Sequence, residues 1–448
     1  MITCTLNTIY VELPHYPSYT RRELRQNPST LQAVGCMRKI VSLFTGAGGL
    51  DLGLEAAGFE TAVAVEMDKW ACQTLRANRD WPVFEDDIHN VTSEDLKSAG
   101  GFNRRAPDLL IGGPPCQPFS KSAYWSKGDT KRLDDPRADT LTAYLRVLRD
   151  LKPKAFLLEN VQGMTFKGKD EGLKLLENII QKINEETGSN YSFTWQVLNA
   201  ADYGVPQMRE RVFLVGSRDG KVFRFPAATH QDPELAVDDL FGYPTWNNAW
   251  DAIGDLVNAP ESKDPKLKVG GKWGALLPSI PEGKNYLHHT DRGDGQPLFG
   301  WRTRYWGFLL KLAKNKPSWT IQAQPGSSIG PFHWDSRKLT MRETCRLQTF
   351  PDGYHIEGGR SEMQRQLGNA VPSLMGEILG REIRKQFFGD KLDSDQLKLI
   401  PQKKEPCPRA KRVQPVPEQY HELIGEHAAH PGTGLGPVAR KRKLATAT

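Results

Sequence analysis

The chain has 448 residues with 38% hydrophobic side chains, enough to bury a large core in two or more structural units. Its net charge is +7, and the stretch from Pro401 carries nine Lys or Arg against four Asp or Glu, so the body is nearly neutral and offers no global attraction for a polyanion. No apolar run approaches the roughly 18 to 20 residues that cross a bilayer, and Cys4, Cys36, Cys72, Cys116, Cys345 and Cys407 show no CxxC pair and no His-Cys metal spacing, so a reducing compartment without zinc or a disulfide frame is expected.

Residues 1–37 read as an N-terminal extension, interrupted by Pro14 and Pro17, in which Arg21 to Ala33 can form one polar helix of no assigned function; no charged start precedes an apolar segment, so export is not expected. From Lys39 short apolar runs alternate with amphipathic segments: 39–44, 50–57, 61–65, 68–78, 108–111, 138–150, 154–158 and 171–186. This is the βαβ rhythm, and further strands near 192–198 and 211–216 complete an α/β domain with a mostly parallel sheet covered by helices on both faces. After strand 39–44 comes Gly46-Ala47-Gly48-Gly49 and then a helix, a turn that lets backbone approach a nucleotide-like ligand at a helix N-terminus. Asp51 stands where the dinucleotide fingerprint G-x-G-x-x-G has its third glycine, which argues against NAD. Glu66 closes the next apolar strand and puts two acceptor oxygens at the carboxyl edge of the sheet, where ribose hydroxyls can be held.

The apolar run Asp108-Leu109-Leu110-Ile111 leads into Gly112-Gly113-Pro114-Pro115-Cys116-Gln117-Pro118-Phe119-Ser120. Two prolines fix φ ahead of one cysteine and two glycines permit close approach, which is how a nucleophile is displayed at a strand end. Glu159 follows strand 154–158 in the same way, and Arg209 and Arg211 alternate at the start of the strand near 211–216. Residues 117–137 form a polar segment after the cysteine, with Ser120 and Ser122 within it.

Beyond Gly216 the rhythm stops, and Pro, Gly, His and Trp become frequent as far as about residue 335. Arg302, Arg304, Lys311, Lys314 and Lys316 interleave there with Trp301, Tyr305, Trp306 and Trp319, which suits phosphate contact and base stacking; the run 304–314 also reads as a solvated helix with an apolar back face. The span from Leu367 to Phe387 restores an amphipathic helix introduced by a Gly368-Asn369 turn, so the chain returns to its first domain. Residues 390–448 read as a basic disordered tail that ends with Arg440-Lys441-Arg442-Lys443.

Five elements occur in one order: Phe44-Thr45-Gly46-Ala47-Gly48, Pro115-Cys116-Gln117, Glu159-Asn160-Val161, Gln207-Met208-Arg209-Glu210-Arg211 and Gly368-Asn369. Together they resemble the DNA (cytosine-5)-methyltransferase family of prokaryotic or phage type, over about residues 39 to 388. The resemblance implies a Rossmann-like S-adenosylmethionine-dependent methyltransferase fold. Its catalytic domain would span 38–222 and 355–389, with a smaller irregular target-recognition domain and bracing helix over 223–354. It implies S-adenosyl-L-methionine as cofactor, held by Phe44, Gly46, Gly48, Gly49, Glu66, Met67, Asp87, Ile88, Asn369 and Ala370. Cys116 would add to cytosine C6, Glu159 would contact N3 and the exocyclic amine, Arg211 would donate to O2, Arg209 would hold Glu159, and Asn160 would order the Pro115-Cys116 turn. Double-stranded DNA is the implied partner, contacted by Ser120, Ser122, Arg302 and Arg304, and the target base would be flipped out of the duplex.

The segment Arg337 to Glu343 with Cys345 to Gln348 resembles the helix that braces the two domains. A cytoplasmic, nucleoid-associated monomer is expected, with a separate cognate restriction endonuclease as an optional partner. A tRNA cytosine-5 methyltransferase and a catalytically silent DNA-binding regulator are the alternatives. The Cys-Phe-Thr sequence common in the tRNA branch is missing, and the intact Cys116, Glu159, Arg209, Arg211 and Asn369 oppose decay to a binder.

Overall fold

The computed structural model describes residues 37–115, 139–161, 171–234, 242–392, 394–402 and 405–427. Its centre is a seven-stranded sheet. Strands β1 (Arg38–Leu43), β2 (Phe59–Glu66), β3 (Val83–Glu85), β4 (Leu109–Gly112) and β5 (Ala155–Asn160) run parallel, and β8 (Glu210–Ser217) and β6 (Ser192–Asn199) add antiparallel strands in the order β3-β2-β1-β4-β5-β8-β6. The chain turns to one side of β1 for β2 and to the other for β4, so the carboxyl ends of β1 and β4 form the switch point at which open α/β sheets hold ligands.

Each strand sends alternate side chains to opposite faces, so a strand covered on both faces must be apolar throughout. On one face Val41, Leu110, Phe156 and Leu214 pack with Leu96 of helix α3 (Ser93–Gly100), Tyr144 and Leu148 of α4 (Asp139–Leu151) and Leu176 and Ile180 of α5 (Glu171–Thr187). On the other face Ile40, Leu109, Ile111, Leu157 and Phe213 meet Leu50 and Leu54 of α1 (Gly49–Ala56) and Leu374, Ile378 and Leu379 of a C-terminal helix, Ser373–Ile383. The expected α/β architecture is thus present, doubly wound and Rossmann-like, and helix α2 (Lys69–Asn78) completes the run of elements read from the sequence.

Residues 249–340 contain little regular structure: a short helix α6 (Ala249–Ile253), several 3-10 turns and the short strand β9 (Ser318–Trp319), which pairs with β7 (Gln207–Met208). Trp273, Tyr286, Phe299 and Phe308 form an aromatic core of their own. The expected helix over 304–314 is not formed. Leu309 takes φ 53°, outside helical space, and Phe308, Leu309, Leu310 and Leu312 are all buried, so residues 307–312 have no solvent face to spare. Lys311 and Lys314 are buried with it, Lys314 pairing with Glu282, which removes both from the basic residues available to a phosphate; Arg302, Arg304 and Lys316 stay exposed.

Two further expectations are corrected. The span from Leu367 to Phe387 is not one helix after a turn. Helix α8 (Arg360–Asn369) contains Gly368 and Asn369 at its end, Ala370-Val371-Pro372 breaks the path because Pro372 lacks an N–H, and α9 (Ser373–Ile383) follows. The tail is not disordered throughout: Leu397, Leu399 and Ile400 pack on the α9 side of the sheet, and Tyr420 is buried in the aromatic core. Overall composition hid these few apolar residues. In helix α7 (Met341–Leu347) Thr340 and Glu343 make a capping box, Glu343 binds Arg337 at 2.6 Å, and Arg346 bridges Asp255 and Asp352.

Candidate active site

Four strand ends meet along one edge. The backbone register sets Leu43 beside Val65 and Gly112, and Gly112 beside Leu158, so the residues that follow β1, β2, β4 and β5 emerge together. Phe44 leaves β1 at φ 53°, a conformation uncommon for a bulky side chain, and Gly46 at φ 57° and Gly48 at φ 76° carry the turn into α1. Glu66 ties this loop to the end of β2: its Oε2 accepts from the Gly46 N–H at 2.7 Å and its Oε1 from the Asp68 N–H at 2.8 Å. Burial pushes the Glu66 carboxyl up, and those backbone donors oppose the shift.

A cavity of about 410 Å³ opens at this edge. It is lined by Phe44, Gly46, Gly49, Glu66 and Met67 from the first two strand ends, by Asp87 and Ile88 after β3, and by Asn369 and Ala370 at the end of α8. Gly48 is not in the lining; it serves the turn, and any Cβ on it would lie 3.0 Å from Leu75 and from Tyr354. Asp87 accepts from the backbone N–H and Nδ1 of His89, which lowers its carboxyl.

Gly113, Pro114, Pro115, Glu159 and Arg211 line the same cavity. Any Cβ on Gly113 would lie 3.0 Å from Glu159 Oε2, so glycine is what lets the carboxylate stand against the turn. Asn160 donates from Nδ2 to the Pro114 carbonyl at 3.3 Å, the ordering contact expected of it. Burial raises the Glu159 carboxyl, while the guanidinium of Arg211, with its Nε 2.9 Å from Oε1, and the charge of Arg209 oppose that rise.

The division of labour between the arginines differs from the expectation. Arg211, not Arg209, holds Glu159. Arg209 falls in the break between β7 and β8, is 1% exposed, and donates to the carbonyls of Gly368 at 2.9 Å and Ile321 at 3.4 Å. It therefore supports the end of α8 that carries Asn369 and does not line the cavity. Cys116, Ser120 and Ser122 lie outside the described residues; Pro115, their entry point, is at the cavity. Arg302 and Arg304 are not part of the lining. They stand on the aromatic core, where Trp301 lies between Arg292 and Arg302 at 3.7 and 4.2 Å from its ring.

Sequence reasoning missed Asp51, Asp68 and Arg365, which also line the cavity. Asp68 caps α2 by accepting from the Ala71 N–H and pairs with Arg365 at 2.7 Å. An aspartate just before a helical run is an N-cap signal that could have drawn attention to it.

Comparison with known proteins decides what this edge belongs to. The sequence profile of the C-5 cytosine-specific DNA methylases matches residues 38–385. This chain is a member of that family. The C-5 DNA methylase is 40% identical over 375 residues to the Type II methyltransferase M.SacI of Streptomyces achromogenes, covering 78% of this chain and 93% of that one. It is 34% identical to M.NgoFVII of Neisseria gonorrhoeae over 78% and 87% of the two chains. Among solved structures, a DNA modification methyltransferase encoded within an E. coli prophage shares the fold at a TM-score of 0.53 and 24% identity, over 78% of this chain and 99% of its own. The enzyme is thus a DNA (cytosine-5)-methyltransferase, and its α/β sheet is the one expected of such a methylase. Among the described residues no helix is long and apolar enough to cross a membrane.

Proposed function

We propose that the cavity binds S-adenosyl-L-methionine and that Cys116 attacks C6 of a flipped-out cytosine in double-stranded DNA. The observation that carries this reading is a single cavity lined by both a ribose-type acceptor, Glu66, and the Glu159–Arg211 pair, with the turn to Cys116 in its wall. The donor set suits the cofactor: the Phe44 ring and Ile88 offer apolar surface to a purine, Glu66 offers acceptors to ribose hydroxyls, and Asp87 offers one to an exocyclic amine. When bound, S-adenosylmethionine supplies an electrophilic methyl group on a sulfonium.

Cytosine C5 is a poor nucleophile until the Cys116 thiolate adds at C6. The new S–C6 bond pushes the electron pair of the 5,6 double bond toward C5, and Glu159, carrying a proton, donates to N3 as charge gathers on the ring. Burial favours that protonated form, and Arg211 keeps the carboxyl oriented while retaining donors for O2. Once C5 is methylated, a water takes its proton, N3 returns its proton to Glu159, and expulsion of the thiolate restores the double bond and frees Cys116. A free thiol titrates near about 8.5, so the attack depends on this ring activation to draw the thiolate forward.

Residues 223–354 serve as target-recognition domain in this reading, with Arg302 and Arg304 on the phosphates. The names of the relatives suit a Type II restriction-modification setting with a separate endonuclease. The test is bisulfite sequencing of DNA incubated with the purified protein and S-adenosylmethionine, beside a Cys116→Ala control. Protected cytosines in one recurrent context, absent from the control, are expected, and the control should still bind cofactor. Residual turnover in the control would remove Cys116 as nucleophile, and protection of tRNA cytosines alone would move the activity to RNA.

A further inference from the structure

The family match ends at residue 385, yet residues 394–427 are anchored at both ends to different parts of the molecule. The first anchor is on α9. Buried Glu377 accepts the backbone N–H groups of Lys398 at 2.8 Å and Leu399 at 2.9 Å, Arg381 donates to the carbonyls of Gln396 and Ser394, and Leu397, Leu399 and Ile400 join the apolar layer under the sheet. The second anchor is the aromatic core. Tyr420 stacks on Trp273 with centroids 5.8 Å apart and planes within 12°, donates to the Lys272 carbonyl at 2.8 Å and is 2% exposed. Gln414 N–H donates to the Pro278 carbonyl at 3.2 Å, and Val416 and Leu423 pack beside Tyr420.

Between the anchors the sequence is polar and carries Pro401, Pro406 and Pro408, and Glu405 to Ala410 are exposed. Such a run makes a semi-rigid spacer rather than a slack linker. The two ends it joins matter for the reaction. Helix α9 follows directly on Ala370 and Val371 in the cavity wall, and the aromatic core carries Arg302, Arg304, Tyr305 and Trp306 on its exposed side.

Resting on the reading of this core as the DNA-facing body, we propose that the described residues of 394–402 and 405–427 act as a positioning strap for methyl transfer. The strap fixes the separation between the DNA-facing body and the sheet edge, and so where the target base arrives relative to the cavity. Glu377 and Tyr420 are the positioning residues at its two ends.

The test lengthens the spacer in the full chain. Inserting about six and then about twelve Gly-Ser residues between Pro406 and Cys407 leaves both anchors intact and slackens only the tie. Binding of S-adenosylhomocysteine should stay at the wild-type value, while KM for a DNA duplex carrying the methylated site rises about tenfold and kcat falls, more for the longer insert. Tyr420→Ala should move the same parameters, and Tyr420→Phe, which keeps the stack, should recover most of the loss. Wild-type KM and kcat in both lengthened chains would overturn the proposal, as would loss of cofactor binding in parallel with DNA binding, which marks general unfolding. Affinity for the duplex is measured alongside, so that a wild type inactive on DNA defeats the functional reading alone. Weaker duplex affinity in the lengthened chains then supports the strap, and unchanged affinity sinks it.

Discussion

Asp51 is 1% exposed beneath the glycine loop, where its carboxyl accepts from Ser42 Oγ at 3.1 Å and Thr61 Oγ1 at 3.0 Å, and Ser42 Oγ in turn lies 3.0 Å from Thr45 Oγ1. Burial pushes this carboxyl to about 7 from an ordinary 3.8, against the pull of those two hydroxyls. A carboxyl raised on folding binds its proton more tightly in the folded state. Its contribution to stability is full below about 3.8, declines as pH rises and is gone above about 7. Between pH 5 and 8 the loss is about 2 to 3 kcal/mol, and Asp51→Asn removes it. Denaturant titrations of both proteins should therefore show the Asn variant gaining on wild type by that amount as pH rises; parallel slopes would mean that Asp51 is ionised in the folded protein. Nothing in the sequence announced this residue except its place in a fingerprint it breaks. Glu66 and Glu159 were legible because a carboxylate that follows an apolar strand must emerge at the sheet edge. The arginine partner of Glu159 was not, because residue 209 lies in a break between two strands, where alternation no longer says which way a side chain points.

Six of the seven strands were read nearly to their ends, since a doubly covered strand is an apolar run and an amphipathic helix follows it; β3, three residues without a fully buried one, and helix α3 after it were missed. The insertion of β8 between β5 and β6 was not legible, because strand order is settled by tertiary packing. The contact of α1 with α9 escaped for another reason: its signal is two small residues in a helix that otherwise reads as ordinary. Any Cβ on Gly53 would lie 2.0 Å from the Ser373 carbonyl oxygen and 2.5 Å from the Glu377 nitrogen, both backbone atoms that cannot swing aside. A Cβ on Gly49 would likewise run into the Val371 carbonyl oxygen. These glycines press the helix that starts at the glycine loop against the helix that leaves the Asn369-Ala370 wall. Gly53→Ala must therefore push the two apart, at about 1 to 3 kcal/mol of stability for an overpacked contact. Because α1 lines the cavity and α9 follows its Ala370-Val371 wall, calorimetry should also show weaker binding of S-adenosylhomocysteine. A lower melting temperature with unchanged affinity would place the contact in the fold alone.

At the scale of the molecule, the aromatic core around Trp273 and the neighbouring cluster of Ala249, Ile253, Leu312 and Trp334 are separate from the two cores that flank the sheet. Apart from the strap, what joins them is largely main chain and buried amide. β7 pairs with β9 through Gln207 with Ser318 and Met208 with Trp319, and the Gln207 side chain accepts from the Ile321 N–H at 3.0 Å and donates to Gln348 Oε1 at 3.0 Å. A seam of this kind tolerates different side chains on the far side, so the surface proposed above to read bases can vary while the sheet edge stays fixed. Irregular segments of 3-10 turns hold that surface, which is why its contacts could not be read from periodicity. Exchanging residues 257–318 for the matching segment of a relative with a different site should change which cytosines are protected in bisulfite sequencing, while turnover still requires Cys116. Trp273 lies inside the exchanged segment and stacks on Tyr420, so the chimaera should work best when residues 405–427 travel with it. An unchanged protection pattern in that double exchange would place sequence recognition outside 257–318, in the residues that follow Trp319 toward α7.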